Sequence, residues 1–132
     1  MIVFVDTSIL FDTLDASSKT HKISSKRWSR ALDGEDVLFT HNYVLVETLA
    51  LIQNRLGMTA VTAFAEDVLP VLSVRWIDDA THKAALAALL TAKRRQMSFV
   101  DCASFQIMRE LSIKSAFTLD SHFKQQGFRI YR

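Results

Sequence analysis

Short apolar runs of strand length alternate with longer amphipathic segments along this chain. Residues 2–5 (IVFV) are continuously apolar, and Asp6-Thr7-Ser8 supplies polar caps for a helix at about 9–14. A second helix over 19–32 carries Ile23, Trp28, Ala31 and Leu32 as its expected buried positions and stops at Asp33-Gly34. Residues 37–40 (VLFT) read as a strand, after which Asn42 caps a helix running to about Arg55, with Gly57 as its stop. A helix over 59–69 closes at Pro70, residues 71–76 (VLSVRW) form a strand, and Asp78 or Asp79 opens an Ala- and Leu-rich helix to about Lys93. Ser98 caps a helix to about Leu111, and strands at 115–118 and 128–131 complete the pattern, the last one after Gly127. This alternation predicts an α/β fold, a three-layer α/β/α sandwich around a mainly parallel sheet of about five strands. With 132 residues and 49% hydrophobic content, one domain spanning 1–132 is expected.

Composition narrows the class. Charged residues interrupt every apolar stretch well before about 18 residues, so no membrane span is expected. The first ten residues lack a basic leader and a small-residue cleavage site, which favours a first strand over a signal peptide and a cytoplasmic protein. The single cysteine, Cys102, has no intramolecular disulfide partner, and no Cys/His spacing resembles structural zinc. The net charge is only +2, from sixteen Lys and Arg against fourteen Asp and Glu. If four of those acids serve a metal, ten remain against sixteen cations, and the outer surface favours an anionic partner such as a nucleic acid.

Four acids stand out by placement. In open parallel sheets ligands bind beyond the carboxyl ends of strands. Asp6 and Asp120 directly follow strands, Asp101 lies one turn into the helix begun by Ser98, and Glu47 sits within the apolar helical segment VLVETLALI. Carboxylates gathered at one sheet edge repel one another, and a shared divalent cation resolves the conflict. Each also has a plainer reading. Asp6 and Asp120 are natural helix caps, and Ser98-Phe99-Val100-Asp101 fits a capping signature. Glu47 is different, because its helical neighbours Tyr43, Val44, Ala50 and Leu51 offer no charge partner, leaving a long-range salt bridge or a metal.

Other groups carry weaker signals. Cys102 reads as a small buried thiol, and His21, His41, His82 and His122 show no ligand spacing, although His41 and His122 fall near the expected edge. No phosphate-cradling glycine motif occurs. Lys19, Lys22, Lys26 and Arg30 recur along one helix face, and Lys93-Arg94-Arg95 precedes the Asp101 helix. Such stripes are solvated surface by default and phosphate contacts where a polyanion binds.

Taken in order, Val5-Asp6-Thr7-Ser8, Val46-Glu47, Ser98-Phe99-Val100-Asp101-Cys102 and Thr118-Leu119-Asp120-Ser121-His122-Phe123 followed by Gly127 resemble a PIN domain, most nearly the VapC-type toxins of toxin–antitoxin pairs. The resemblance implies an endoribonuclease with Asp6, Glu47, Asp101 and Asp120 as its acidic catalytic site and Thr7, Ser8 and Thr118 in support. It also implies a homodimer and a separately encoded antitoxin; Cys102 stands where the family often has a small Ala. Carboxylate oxygens are hard ligands suited to one or two Mg²⁺ or Mn²⁺ ions, with Asp6 and Asp101 the expected main ligands and Glu47 and Asp120 auxiliary. Two alternatives compete: an inactive PIN-like module that binds RNA or protein, and a receiver-like domain accepting phosphate on Asp6 or Asp78. A phosphatase with a D-x-D pair is disfavoured, since Thr7 and Ser8 follow Asp6.

Overall fold

Every residue of β1 (Ile2–Val5) after the first is buried, as expected of a strand covered on both faces. The computed structural model describes all of residues 1–132. In it β1 is the centre of a five-stranded sheet with β2 (Val37–His41), β3 (Ser73–Arg75), β4 (Ser115–Phe117) and β5 (Arg129–Ile130), ordered β3-β2-β1-β4-β5. All four pairings are parallel, with Ile2 opposite Val37 and Val3 opposite Ser115. Seven helices join the strands: α1 (Thr7–Asp12), α2 (His21–Asp33), α3 (Asn42–Arg55), α4 (Met58–Ala63), α5 (Asp79–Ala92), α6 (Phe99–Glu110) and α7 (Ser121–Gln125). Val3, Phe4 and Val5 point alternately to the two faces and all are buried, so helices cover both. The α/β sandwich expected from the sequence is the observed fold. Its strand order differs from the 2-1-3-4-5 of receiver-like domains, which counts against the phospho-acceptor alternative.

The order has a consequence for function. The chain lays strands on one side of β1, reaching β3, and then returns to the other side with β4 and β5. That reversal opens a crevice beyond the carboxyl ends of β1 and β4, the usual ligand position in open α/β sheets. The backbone marks the spot, since the Asp6 amide donates to the Phe117 carbonyl at 3.1 Å. Below it lies an aromatic layer in which Phe123 packs on Phe4 and Phe105, with centroids 5.8 and 4.9 Å apart, and so anchors the short α7.

Several expectations change. On α2 the buried stripe is Ser24, Trp28 and Ala31, whereas Ile23 and Leu32 are exposed. Ser24 is inside because its hydroxyl donates to the buried Asp12 carboxylate. Helix α3 is capped by His41 and not by Asn42: Nδ1 of His41 accepts from the Tyr43 and Val44 amides, while Oδ1 of Asn42 accepts from the Ile77 amide. The helix expected over 59–69 is α4 followed by a π turn (Phe64–Val68) and a 3₁₀ turn (Leu69–Val71). Pro70 lies within that last turn and does not end the run, and the widened turn buries Phe64 and Val68. The edge strands β3 and β5 are shorter than expected, as edge strands often are.

Candidate active site

Three of the four acids meet at the crevice, each delivered by the end of an element. Asp6 follows β1 and is 5% exposed. It holds the cap position of α1, yet its side chain makes no capping bond; Oδ2 instead accepts from Ser8 Oγ and Thr118 Oγ1, both at 2.9 Å. The Thr118 hydroxyl also accepts the Asp120 amide at 2.9 Å, so one hydroxyl links two acids from opposite ends of the chain. Ser8 performs a similar tie, accepting the Leu119 amide at 2.9 Å. Thr7 is buried one layer down and accepts from Thr48 at 3.1 Å, locking α1 against α3. Of the three hydroxyl residues expected to support the acids, Ser8 and Thr118 bond Asp6, whereas the Thr7 hydroxyl bonds Thr48 and the Val44 carbonyl.

Asp101 and Asp120 are caps as well as members of the cluster. Asp101 forms a reciprocal capping box with Ser98, its Oδ2 accepting the Ser98 amide at 3.2 Å and its own amide donating to Ser98 Oγ at 3.0 Å. Asp120 caps α7 by accepting the His122 amide at 2.9 Å. Capping fixes both carboxylates rigidly without consuming all their oxygen lone pairs.

The electrostatics run as a chain through the same groups. Burial pushes the Asp6 carboxyl up to about 6 against the opposing hydroxyl bonds, and the neighbouring Asp101 charge adds to the rise. Burial also raises Asp101, helped by the charge of Asp120. Burial raises the thiol of Cys102, with Asp101 beside it adding to the effect, so this side chain is an inert core group.

His122 joins the cluster. A ligand atom from each of Asp101, Asp120 and His122 lies within 4.8 Å of the others. Nδ1 of His122 stands 3.0 Å from Asp120 Oδ1 and 3.8 Å from Asp101 Oδ2, but is buried and has no hydrogen-bond partner. The short distance is thus an off-line contact and not a hydrogen bond. A buried nitrogen aimed between two carboxylates and bonded to nothing is the donor set a divalent cation would complete, so the residues present fit a metal. His122 had no spacing signal in the sequence, only its position two residues after Asp120. The other histidines serve elsewhere. His41 is fully buried, and burial depresses it to about 4. Its Nε2 meets Ser104 Oγ at 2.8 Å, and Ser104 donates onward to the Val100 carbonyl, which assigns the Nε2–H tautomer to a structural cap.

Glu47 is not among the three residues whose ligand atoms lie within 4.8 Å of one another. It is half-buried on α3, forms none of the molecule's ion pairs, and lines an open groove of about 460 Å³ with Tyr43, Val46, His82, Phe99 and Val100. The long-range salt bridge that could have explained it is absent. The expected basic contacts Lys19, Lys22, Lys26, Arg30, Lys93, Arg94 and Arg95 are exposed, and none lines the cleft beside Asp120. Arg94 instead reaches Gln125 on α7 at 3.4 Å.

Comparison with known proteins places the chain in a family. The PIN domain family model matches residues 3–129. The 23S rRNA-specific endonuclease VapC20 of Mycobacterium tuberculosis is 32% identical over 128 residues, covering 96% of this chain and 95% of that protein. The crystal structure of Mycobacterium tuberculosis VapC20, a sarcin-ricin loop cleaving toxin, superposes with a TM-score of 0.84, covering 97% of this chain and 96% of the other. FitAcB from Neisseria gonorrhoeae, at 14% identity and a TM-score of 0.68, shares the fold alone. This chain belongs to the PIN domain family and is similar over nearly its whole length to the VapC-type toxin VapC20.

Proposed function

We propose that this protein is a divalent-metal-dependent endoribonuclease, the toxin of a toxin–antitoxin pair, cutting RNA at the crevice between β1 and β4. The observation that carries the reading is the convergence of Asp6, Asp101 and Asp120 with the unpartnered Nδ1 of His122. Burial raises two of these carboxyls, with the charge of Asp101 adding at Asp6 and that of Asp120 adding at Asp101, so keeping them charged together costs the fold stability. Asp6, Asp101, Asp120 and His122 would hold the ion, with Glu47 acting from the facing helix. A bound Mg²⁺ or Mn²⁺ supplies Lewis-acid stabilisation of phosphoryl charge and water of lowered pKa. The protein's own contribution is positional. Thr118 and Ser8 fix one oxygen of Asp6, leaving the other free, and the two helix caps fix Asp101 and Asp120. Hydrolysis of this kind makes no demand on a 2′-hydroxyl, so RNA as substrate rests on the activity named for VapC20. A protein partner, either a second copy or an antitoxin, rests on the likeness to a toxin of this family.

The direct test is incubation of purified protein with ribosomal and synthetic RNA and Mg²⁺ or Mn²⁺. Cleavage that stops on adding EDTA is expected; tight RNA binding with no turnover in any metal favours the inactive-module reading. His122→Ala is expected to weaken Mn²⁺ affinity by about 10- to 100-fold in a titration followed by electron paramagnetic resonance. Unchanged affinity would remove the imidazole from the ligand set and leave only carboxylates.

A further inference from the structure

Beside Asp120 the surface forms a cleft of about 310 Å³ walled by Arg27, Lys124 and Arg132, with Thr118, Asp120 and Ser121 along its inner side. We infer that this cleft is a phosphate subsite, gripping the RNA backbone next to the phosphodiester being cut. The inference rests on the nuclease reading above and adds to it a strand path.

The three cations come from separate parts of the chain: Arg27 from α2, Lys124 from α7, and Arg132 from the C-terminal residue beyond β5. None of them takes part in an ion pair, in a molecule whose ion pairs elsewhere join Lys83 to Asp79 and the N-terminus to Asp36. Arg27 is half-buried and forms no ion pair, so its guanidinium is open to an anion in the cleft. Asp120 is the one acidic side chain on the wall, and its Oδ1 already serves the His122 amide and faces the His122 ring. The cleft and the acidic cluster thus share Asp120 and Thr118 while carrying opposite charge. A polyanion crossing from one to the other meets cations at one phosphate and the acid site at the next. Guanidinium and ammonium groups grip phosphate oxygens without reading bases, so the subsite would set the register of the strand and leave sequence choice to other surfaces.

Binding is measured without turnover, on an Asp101→Asn background, with a fluorescent single-stranded RNA decamer over a salt series. Lys124→Gln and Arg132→Gln are each expected to weaken binding several-fold, and to lower the slope of log affinity against log salt by about 0.7, the value for one lost phosphate contact on a single strand. Arg27→Gln is expected to do the same or more. Lys83→Gln, which removes an exposed cation away from the cleft, is the charge-matched control and is expected to leave the slope unchanged. Wild-type affinity and slope in both Lys124→Gln and Arg132→Gln would overturn the subsite, even if Arg27→Gln fails to fold. An equal loss in Lys83→Gln would reduce the effect to net charge and overturn it too. Cleavage by the unsubstituted protein is scored separately: turnover with these binding results absent defeats the subsite alone, and no turnover in any metal defeats the nuclease reading.

Discussion

Asp6→Asn is expected to make the metal-free protein more stable at pH 7.5 while lowering RNA cleavage by about a hundred- to a thousandfold. The two effects share one cause. The carboxyl of Asp6 is raised from 3.8 to about 6 because burial penalises its charge, with Asp101 adding repulsion. An acid raised in the folded state contributes stability that is full below its unfolded pKa and is lost as pH rises through the folded value. Holding Asp6 ionised at pH 7.5 therefore costs on the order of 3 kcal/mol, the equivalent of that rise. Asparagine removes the charge, and its carbonyl can still accept from Ser8 or Thr118. The expected gain is several degrees in melting temperature in EDTA, and it should vanish near pH 4, where the native carboxyl is already protonated. The wild-type profile alone would hide this. His41, depressed to about 4 by burial, loses stability as pH falls through the same window and runs opposite to Asp6. The difference between variant and wild type isolates Asp6, so melting curves of both from pH 4 to 7.5 decide the matter. A variant less stable than wild type at pH 7.5, or a difference independent of pH, would sink the account. Adding Mn²⁺ is expected to raise the melting temperature of the wild type more than that of the variant, because only the former offers the full ligand set.

The sequence carried the sheet edge but not everything that gathers there. Asp6 after an apolar strand and Asp101 in a capping signature were legible because both depend on local rules. Capping and site membership are not rivals here, because Asp101 and Asp120 are held in place by the caps they form. His122 was legible only as a neighbour of the expected edge, because its place between two carboxylates depends on α6 and α7 meeting, a tertiary event set by Phe123 packing on Phe105. Arg27, Lys124 and Arg132 share no spacing, whereas the regular stripe of Lys19, Lys22, Lys26 and Arg30 is exposed and lies outside the cleft lining. The reversal of His41 and Asn42 has the same origin. Propensity favours Asn as the cap, but the Ile77 amide in the β3–α5 connection donates to the side-chain Oδ1 of Asn42 and a buried imidazole fills the role.

Asp12→Ala is expected to destabilise the protein by about 3 kcal/mol at pH 7, measured by urea unfolding, with Asp12→Asn costing less. Asp12 ends α1 and is 6% exposed, but it is as well satisfied as Asp6 is strained. Its carboxylate accepts from the hydroxyls of Ser18, Thr20 and Ser24, and its carbonyl oxygen meets Nδ1 of His21 at 2.9 Å. Burial by itself would raise this carboxyl; the three hydroxyl donors outweigh it and hold the group below its ordinary value. The sign is therefore the reverse of that at Asp6. A depressed acid contributes stability present above its unfolded pKa and lost as pH falls through the folded value, so the cost of Asp12→Ala should be full at neutral pH and shrink in acid. The clamp also ties the α1–α2 connection to the helix that carries Arg27, so Asp12→Ala should loosen one wall of the basic cleft. Two buried aspartates six residues apart thus make opposite predictions for the same Asp-to-Asn change. A protein in which both variants lose stability equally at pH 7 would contradict the division drawn here, in which one carboxylate is kept for chemistry and the other for the fold.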